Sequence, residues 1–195
     1  NAFRAITDVV IYTPDHPGLF SQIAGAIAVS GGSIADAKAF TTTDGFALDV
    51  FSIQDADGTA FDDAPRITRL RDTITKTLSG RLYPRKSLAK RAQGGGRITA
   101  FRVSPRVNFD NDASATATVI EVEGRDRPGL LYDITRAIFD SGLSISSSIV
   151  ATYGERAIDT FYVRDGFGHK ISHPERLASV EKRILSALEA EALAA

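Results

Sequence analysis

Apolar and polar positions follow the same order in two parts of the chain, which predicts one set of elements written twice. Each part opens on a strand-like stretch rich in β-branched residues, "RAITDVVIYT" and then "ATATVIEVEG". Apolar residues next recur at helical spacing: Phe20, Ile23 and Ile27 in the first part, and Leu131, Ile134 and Ile138 in the second. Both parts are therefore predicted to begin with a strand and a helix.

Two more strands and a closing helix are predicted in each part. The strands are "SIADAKAFTT" with "FALDVFSI", and "SISSSIVATY" with "AIDTFYV", and each pair is joined by a short Gly-containing turn suited to a hairpin. The apolar stripes of the closing helices are Ile67, Leu70, Ile74 and Leu78, and then Leu177, Val180, Ile184 and Leu188.

The loop before the first helix is almost the same in the two parts. It reads "PDHPGLFSQIAGAIAVSGGSI" from Pro14 and "RDRPGLLYDITRAIFDSGLSI" from Arg125, with Asp, Pro, Gly and Leu at matching places. A match this dense indicates an internal duplication. Gly31 and Gly142 stand where a left-handed residue is expected to end a helix.

Each part reads β-α-β-β-α, so the predicted fold class is α+β, with two ferredoxin-like βαββαβ domains whose antiparallel sheets carry helices on one face. We expect the first domain over residues 1–80, a basic linker over 81–112 and the second domain over 113–195. A fourth strand is due in each sheet. "RITAFRVS" can supply it for the first, and "PRVNF" at 105–109 is predicted to cover the open edge of the second.

The composition is typical of a globular protein without disulfides or a transmembrane helix. The chain is 43% apolar with a net charge of -1, has no cysteine and has no apolar run near the about 20 residues that cross a bilayer. It begins without methionine, almost directly in a strand, so we interpret it as a piece of a longer protein, and we expect a cytoplasmic location.

The linker is the most basic part of the chain. From Arg81 to Arg106 it holds eight Lys or Arg and no acidic residue, together with Gly94-Gly95-Gly96 and two prolines. This composition predicts a solvated linker with a mobile first half. Nucleic acid is not an expected partner, because the strands lack the exposed aromatic pattern with which such sheets bind RNA.

The duplicated D-x-P-G-L loop is the main candidate for chemistry. Its proline suits a helix start, and its glycine lets a ligand approach the backbone closely. Amides at a helix start attract a carboxylate or phosphate, whereas the neighbouring Asp15 or Asp126 attracts an ammonium group. The two features together suit an α-amino acid better than a nucleotide.

The loop, read with the β-α-β-β-α-β order, resembles the ACT domain, a regulatory module that commonly binds amino acids. The two copies, "PRVNFDNDAS", "DRPGLLYDIT" and "YGERAIDTFYV" resemble the C-terminal tandem ACT region of the bifunctional PII uridylyltransferase/uridylyl-removing enzymes of bacterial nitrogen control. The resemblance implies L-glutamine as effector, no cofactor in this fragment, and a divalent metal such as Mg²⁺ in the parent enzyme. It implies as partners the parent's catalytic domains and, through them, the PII signalling protein; a homo-oligomer is left open.

The ligand-binding candidates are the loop residues and one strand position in each copy. They are Asp15, His16, Gly18, Leu19, Phe20 and Asp36 in the first, and Asp126, Arg127, Gly129, Leu130, Leu131 and Ser147 in the second. We expect the amides of the Gly-Leu-Phe and Gly-Leu-Leu segments to be free donors.

Plainer interpretations stay open at several positions. The Pro-Gly pair suits a simple turn, and Asp15 and Asp126 suit helix N-caps. Asp49 and Asp159 recur in matching strands and are predicted on the polar face. The three histidines are dispersed, and the sequence holds no catalytic motif and no metal-ligand spacing. A stand-alone ACT module that binds another amino acid, a protein or nucleic acid is the alternative function.

Overall fold

A computed structural model describes residues 5–55, 57–92, 103–153 and 155–189 of the chain. It divides into two compact units, residues 1–99 and 100–195. Each unit contains one copy of the duplicated sequence, and each is described by itself below.

The first unit is a three-stranded antiparallel sheet with helices packed on it. Its elements are β1 (Thr7–Pro14), α1 (Leu19–Ser30), β2 (Ser33–Thr41), β3 (Phe46–Gln54), α2 (Ala64–Leu78) and α3 (Pro84–Ala92). The sheet order is β1-β3-β2. The strand predicted from "RITAFRVS" falls mostly on residues 97–102, outside the described residues.

The second unit repeats this arrangement and adds a strand. Its elements are β4 (Arg106–Asp110), β5 (Thr118–Arg125), α4 (Leu130–Asp140), β6 (Leu143–Tyr153), β7 (Arg156–Asp165) and α5 (Pro174–Glu189). The sheet order is β6-β7-β5-β4, and β4 pairs antiparallel with β5 from Arg106 opposite Glu123 to Asp110 opposite Val119. The prediction that "PRVNF" covers this sheet edge is confirmed.

One face of each sheet is buried under the helices. Along β7, Ala157, Asp159, Phe161 and Val163 are buried, while the positions between them are part-exposed. Phe161 packs in one core with residues of both helices, among them Ile134, Ile138 and Ile184. Buried side chains recur every two residues along the strand and about every 3.6 residues along the helices, so strands and helices share one core. This is the α+β fold that the sequence predicted.

The first half of the basic linker is a helix, so the prediction of a mobile segment there was wrong. Residues Pro84–Ala92 form α3, which contacts α1 in the first unit. Leu88 is buried at 8% exposure, and Pro84 is buried at the first helical position, where its fixed φ suits a helix start. Burial of these two apolar residues anchors the helix, while Arg85 and Lys86 beside them are exposed.

Candidate functional site

The D-x-P-G loop is fixed to the adjoining hairpin turn in both units. The Asp15 amide donates to the Gly45 carbonyl at 2.9 Å, and the Asp126 amide donates to the Glu155 carbonyl at 2.9 Å. The first strand therefore ends at the same level as the hairpin turn, and both aspartates lie beside the helix start that follows.

Helices α1 and α4 begin on a left-handed glycine rather than on an aspartate. Gly18 has φ 82° and Gly129 has φ 84°, and neither helix has a side-chain cap. The interpretation of Asp15 and Asp126 as N-caps is thus wrong, because the glycine turns the chain and leaves each aspartate outside the first turn. A positive φ is costly for residues with a Cβ, which explains glycine here.

The expectation of three free amides in each loop needs a correction. The Leu19 amide donates to the His16 carbonyl, and the Leu130 amide donates to the Arg127 carbonyl, both at 3.1 Å. These bonds close a tight turn before the helix, so the two leucine amides are occupied.

The remaining two amides of each loop meet no backbone acceptor among the described residues. Within the part of each unit that the structure describes, no carbonyl accepts from the amides of Gly18 or Phe20, or from those of Gly129 or Leu131. Two donors at a positive helix end form a suitable site for a carboxylate.

The side chains of the loop residues serve the core. Leu19 and Leu130 are each 3% exposed, and Phe20 contacts the ring of Phe51 with centroids 5.0 Å apart. Leu131 packs against the core of the second unit. Of these four candidate residues, only the backbone is therefore placed to meet a ligand.

One aspartate on the third strand of each repeat is buried, which sequence reasoning missed. Asp49 and Asp159 are each 2% exposed, so their assignment to the polar face was wrong. Burial, followed by the charge of Asp15, raises the pKa of Asp49 to about 6. Burial, followed by the charge of Asp126, raises the pKa of Asp159 to about 7. Each repeat thus pairs a loop carboxyl with a buried one.

Arg127 is held by its own unit. Its guanidinium pairs with Asp133 at 2.7 Å and donates to the Ala187 carbonyl at 3.0 Å, with its side chain 12% exposed. Partial burial raises the pKa of Asp126, while the backbone N–H and the charge of Arg127 oppose that rise. In the first copy, His16 Nδ1 lies 3.2 Å from the carbonyl oxygen of its neighbour Pro17.

The strand candidates Asp36 and Ser147 lie on the other face of their sheets. Asp36 is opposite Ser52 and Ser147 is opposite Tyr162, each beside a bulge in the register. Ser52 and Tyr162 alternate with the buried, helix-facing positions of their strands. Within a unit the structure therefore does not bring Asp36 or Ser147 to the loop.

Neither a cluster of metal ligands nor a membrane-spanning helix is present among the described residues. No group of three or more His, Asp or Glu side chains able to hold a metal ion occurs among the described residues. No helix in the described part of the chain is long and apolar enough to cross a membrane.

Comparison with known proteins identifies the kind of domain in the second unit. The family model for the ACR9-like, ACT-like domain matches residues 106–193. The second unit is therefore similar to an ACT-like domain. A bifunctional uridylyltransferase/uridylyl-removing enzyme of Azospirillum brasilense is 54% identical over 187 residues, which are 95% of this chain and 20% of that enzyme. The enzyme of the same description from Gluconobacter oxydans is 50% identical with the same coverage.

The chain therefore spans about a fifth of the length of the curated relatives that it matches. Among solved structures, the regulatory subunit of aspartate kinase from Thermus thermophilus is 13% identical, with a TM-score of 0.26 over 94% of this chain and 97% of that one. That score is too low to establish a shared arrangement.

Proposed function

We propose that this chain is the ACT-type amino-acid-sensing region of a uridylyltransferase/uridylyl-removing enzyme, and that it binds L-glutamine and signals nitrogen status to the catalytic domains of that enzyme. The proposal includes the PII protein as the target that those domains modify, and Mg²⁺ as a metal that they use. The enzyme class in this proposal comes from the relatives, which are described as bifunctional uridylyltransferase/uridylyl-removing enzymes.

The observation that carries the proposal is the pairing of free amides with a carboxylate in one loop. In the second unit, Gly129 and Leu131, whose amides have no backbone acceptor among the described residues, follow Asp126 closely along the chain. The amides suit the carboxylate of an amino acid, and Asp126 suits its ammonium group. Bound ligand shifts the state of the parent enzyme only to the extent that it binds one state more tightly than another.

An interaction module is the second candidate, and the open face of the first sheet favours it. Val10 is 61% exposed, Tyr12 60% and Phe40 54%. The second repeat carries Glu121 and Glu123 at the places of Val10 and Tyr12. A group of exposed apolar side chains on one sheet face suits contact with another protein surface.

L-Glutamine is expected to raise the thermal midpoint of unfolding of this chain, and L-glutamate to raise it much less. A pocket that pairs with a side-chain amide leaves polar groups unmatched when a carboxylate takes the amide's place, and unmatched buried groups are costly. Differential scanning fluorimetry with a panel of amino acids checks this. Equal shifts for the two amino acids, or no shift with either, would count against a glutamine sensor.

A further inference from the structure

The second unit contains a basic pocket at the end of its sheet that is remote from the D-x-P-G loop. The pocket has a volume of about 350 Å³, which is within the range of small-molecule sites. β5 and β7 run from the loop end, where Arg125 is opposite Arg156, to the pocket end, where Thr118 is opposite Val163. The pocket is lined by Ala115, Thr116, Arg164, Gly168, His169 and Lys170.

Hydrogen bonds between distant segments hold the walls of this pocket. The Thr118 hydroxyl, which is fully buried, donates to Asn111 Oδ1 at 2.7 Å and accepts from the Ile171 amide at 2.8 Å. Asn111 Nδ2 donates to the Ile171 carbonyl at 2.9 Å, and Lys170 Nζ donates to the Asn111 carbonyl at 2.7 Å. Because these bonds fix both walls, a ligand pays little to order them.

Two cations of the pocket have no carboxylate partner. Among the described residues, no Asp or Glu oxygen lies within 4.0 Å of the charged group of Arg164 or Lys170. Arg164 Nη2 donates to Thr116 Oγ1 at 2.9 Å, whereas its buried Nε has no acceptor in the described part of the chain. A guanidinium has five N–H donors and an ammonium has three, so several stay available to a ligand.

The aspartate next to Arg164 in the chain is engaged elsewhere. Asp165 Oδ1 accepts from the amides of Phe167 and His169, both at 2.9 Å, and Asp165 Oδ2 lies 3.5 Å from Arg176 Nη1. Asp165 thus closes the turn and does not line the pocket.

The first repeat builds the same turn with neutral side chains. Thr7 Oγ1 donates to the Phe61 carbonyl at 3.0 Å, at the places of Thr118 and Ile171. The three basic residues are replaced there by Gln54, Thr59 and Ala60. The turn therefore forms without the cations, which indicates that their charge serves another purpose.

We propose that this pocket of the second unit binds the phosphate group of a small molecule. A phosphate group carries a charge of about −1.5 to −2 at pH 7, which matches the two unpaired cations, whereas a carboxylate carries only one negative charge. The planar fork of Arg164 suits two phosphate oxygens, and Lys170 adds a point charge. The Thr116 hydroxyl accepts from Arg164 and keeps its own hydrogen for the ligand.

The site is independent of the glutamine proposal. Seven residues of β5 separate its pocket end from its loop end, about 23 Å along the strand. Binding of phosphate is therefore expected whether or not the loop binds an amino acid.

Calorimetric titration of the whole chain at constant ionic strength tests the pocket, with inorganic phosphate as ligand and acetate as the singly charged comparison. We expect acetate to bind at least about tenfold more weakly than phosphate, and Arg164→Gln and Lys170→Ala each to lower phosphate affinity about tenfold. Both replacements are the residues of the first repeat. Arg183→Gln removes the same charge from an exposed position of α5 and should leave affinity within about twofold. Circular dichroism confirms that each variant is folded.

Uridine 5′-monophosphate distinguishes the source of the phosphate group, and is chosen because the relatives are uridylyltransferases. Tighter binding than that of phosphate assigns the pocket to a nucleotide, and equal binding assigns it to the free anion.

Three results would overturn the inference. One is that wild type binds phosphate no more tightly than acetate. Another is that Arg164→Gln and Lys170→Ala keep the affinity of wild type, which would make the pocket a solvated basic surface. The third is an equal loss in Arg183→Gln and Arg164→Gln, which would show a general effect of net charge.

Discussion

Asp159→Asn is expected to stabilise the chain at pH 8 and to flatten the dependence of its stability on pH. The pKa of this carboxyl is raised from 3.8 to about 7 in the folded chain. Between these two values the folded state holds a proton that the unfolded state has lost, so the free energy of unfolding falls as pH rises. A shift of about three pKa units corresponds to a loss on the order of 4 kcal/mol, reached near pH 8. Asparagine does not titrate, so the loss disappears.

Urea denaturation at pH 5 and pH 8 measures this difference. Asp49→Asn is the matched control, because Asp49 has the same burial in the other repeat and its pKa is raised only to about 6. We expect a smaller gain from that variant, complete at a lower pH. Equal losses of stability in wild type and Asp159→Asn between the two pH values would contradict the raised pKa of Asp159.

Gly129→Ala is expected to lower glutamine affinity at the second loop at least tenfold, about 1.4 kcal/mol or more. Gly129 has φ 84° and starts helix α4. A Cβ at this φ strains the backbone, and the relaxation moves the two free amides that the ligand carboxylate uses. The fold should survive, since the strain is about 1–2 kcal/mol. Calorimetry with L-glutamine checks the affinity.

Gly142→Ala separates the effect on binding from the effect on the backbone. Gly142 also has a positive φ, 72°, and an added Cβ there meets no atom within 4 Å. It follows the other end of the same helix, so its alanine variant should lose similar stability and keep its affinity for glutamine. Equal affinities in both variants would mean that the Pro-Gly pair only makes a turn.

The regular elements could be predicted because their periodicity is a direct consequence of burial on one face. Alternation along β7 and the stripe through Ile184 in α5 both come from contact with a single core. The edge strand β4 could be predicted from a different rule, namely that an open sheet edge needs cover.

Two features could not be predicted from composition, namely helix α3 and the burial of Asp159. In both, a few buried residues determine the structure more than the overall composition does. Helix α3 is basic in composition, and the burial of Leu88 and Pro84 distinguishes it from a solvated linker. Asp159 was placed on the polar face because charge usually marks exposure. The sequence does contain a sign of its burial. Asp159 lies two residues from both Ala157 and Phe161, so it shares the buried, apolar face of β7 with them.

Asp159 and Ser148 lower the stability of the chain because each holds a buried polar atom without a partner among the described residues. Sites that violate the rules of core formation are expected to be functional. The second repeat keeps both violations, whereas the first has alanine at the place of Ser148.

The exchange of backbone amide hydrogens with solvent, followed by NMR with and without saturating L-glutamine, tests the central claim most directly. We predict that glutamine slows exchange at the amides of Gly129 and Leu131, which have no acceptor among the described residues of their unit. The amide of Leu177, bonded to the His173 carbonyl at 3.1 Å, serves as an internal reference that should not change. Unchanged exchange at Gly129 and Leu131 under saturating glutamine would contradict the assignment of the loop as the ligand site.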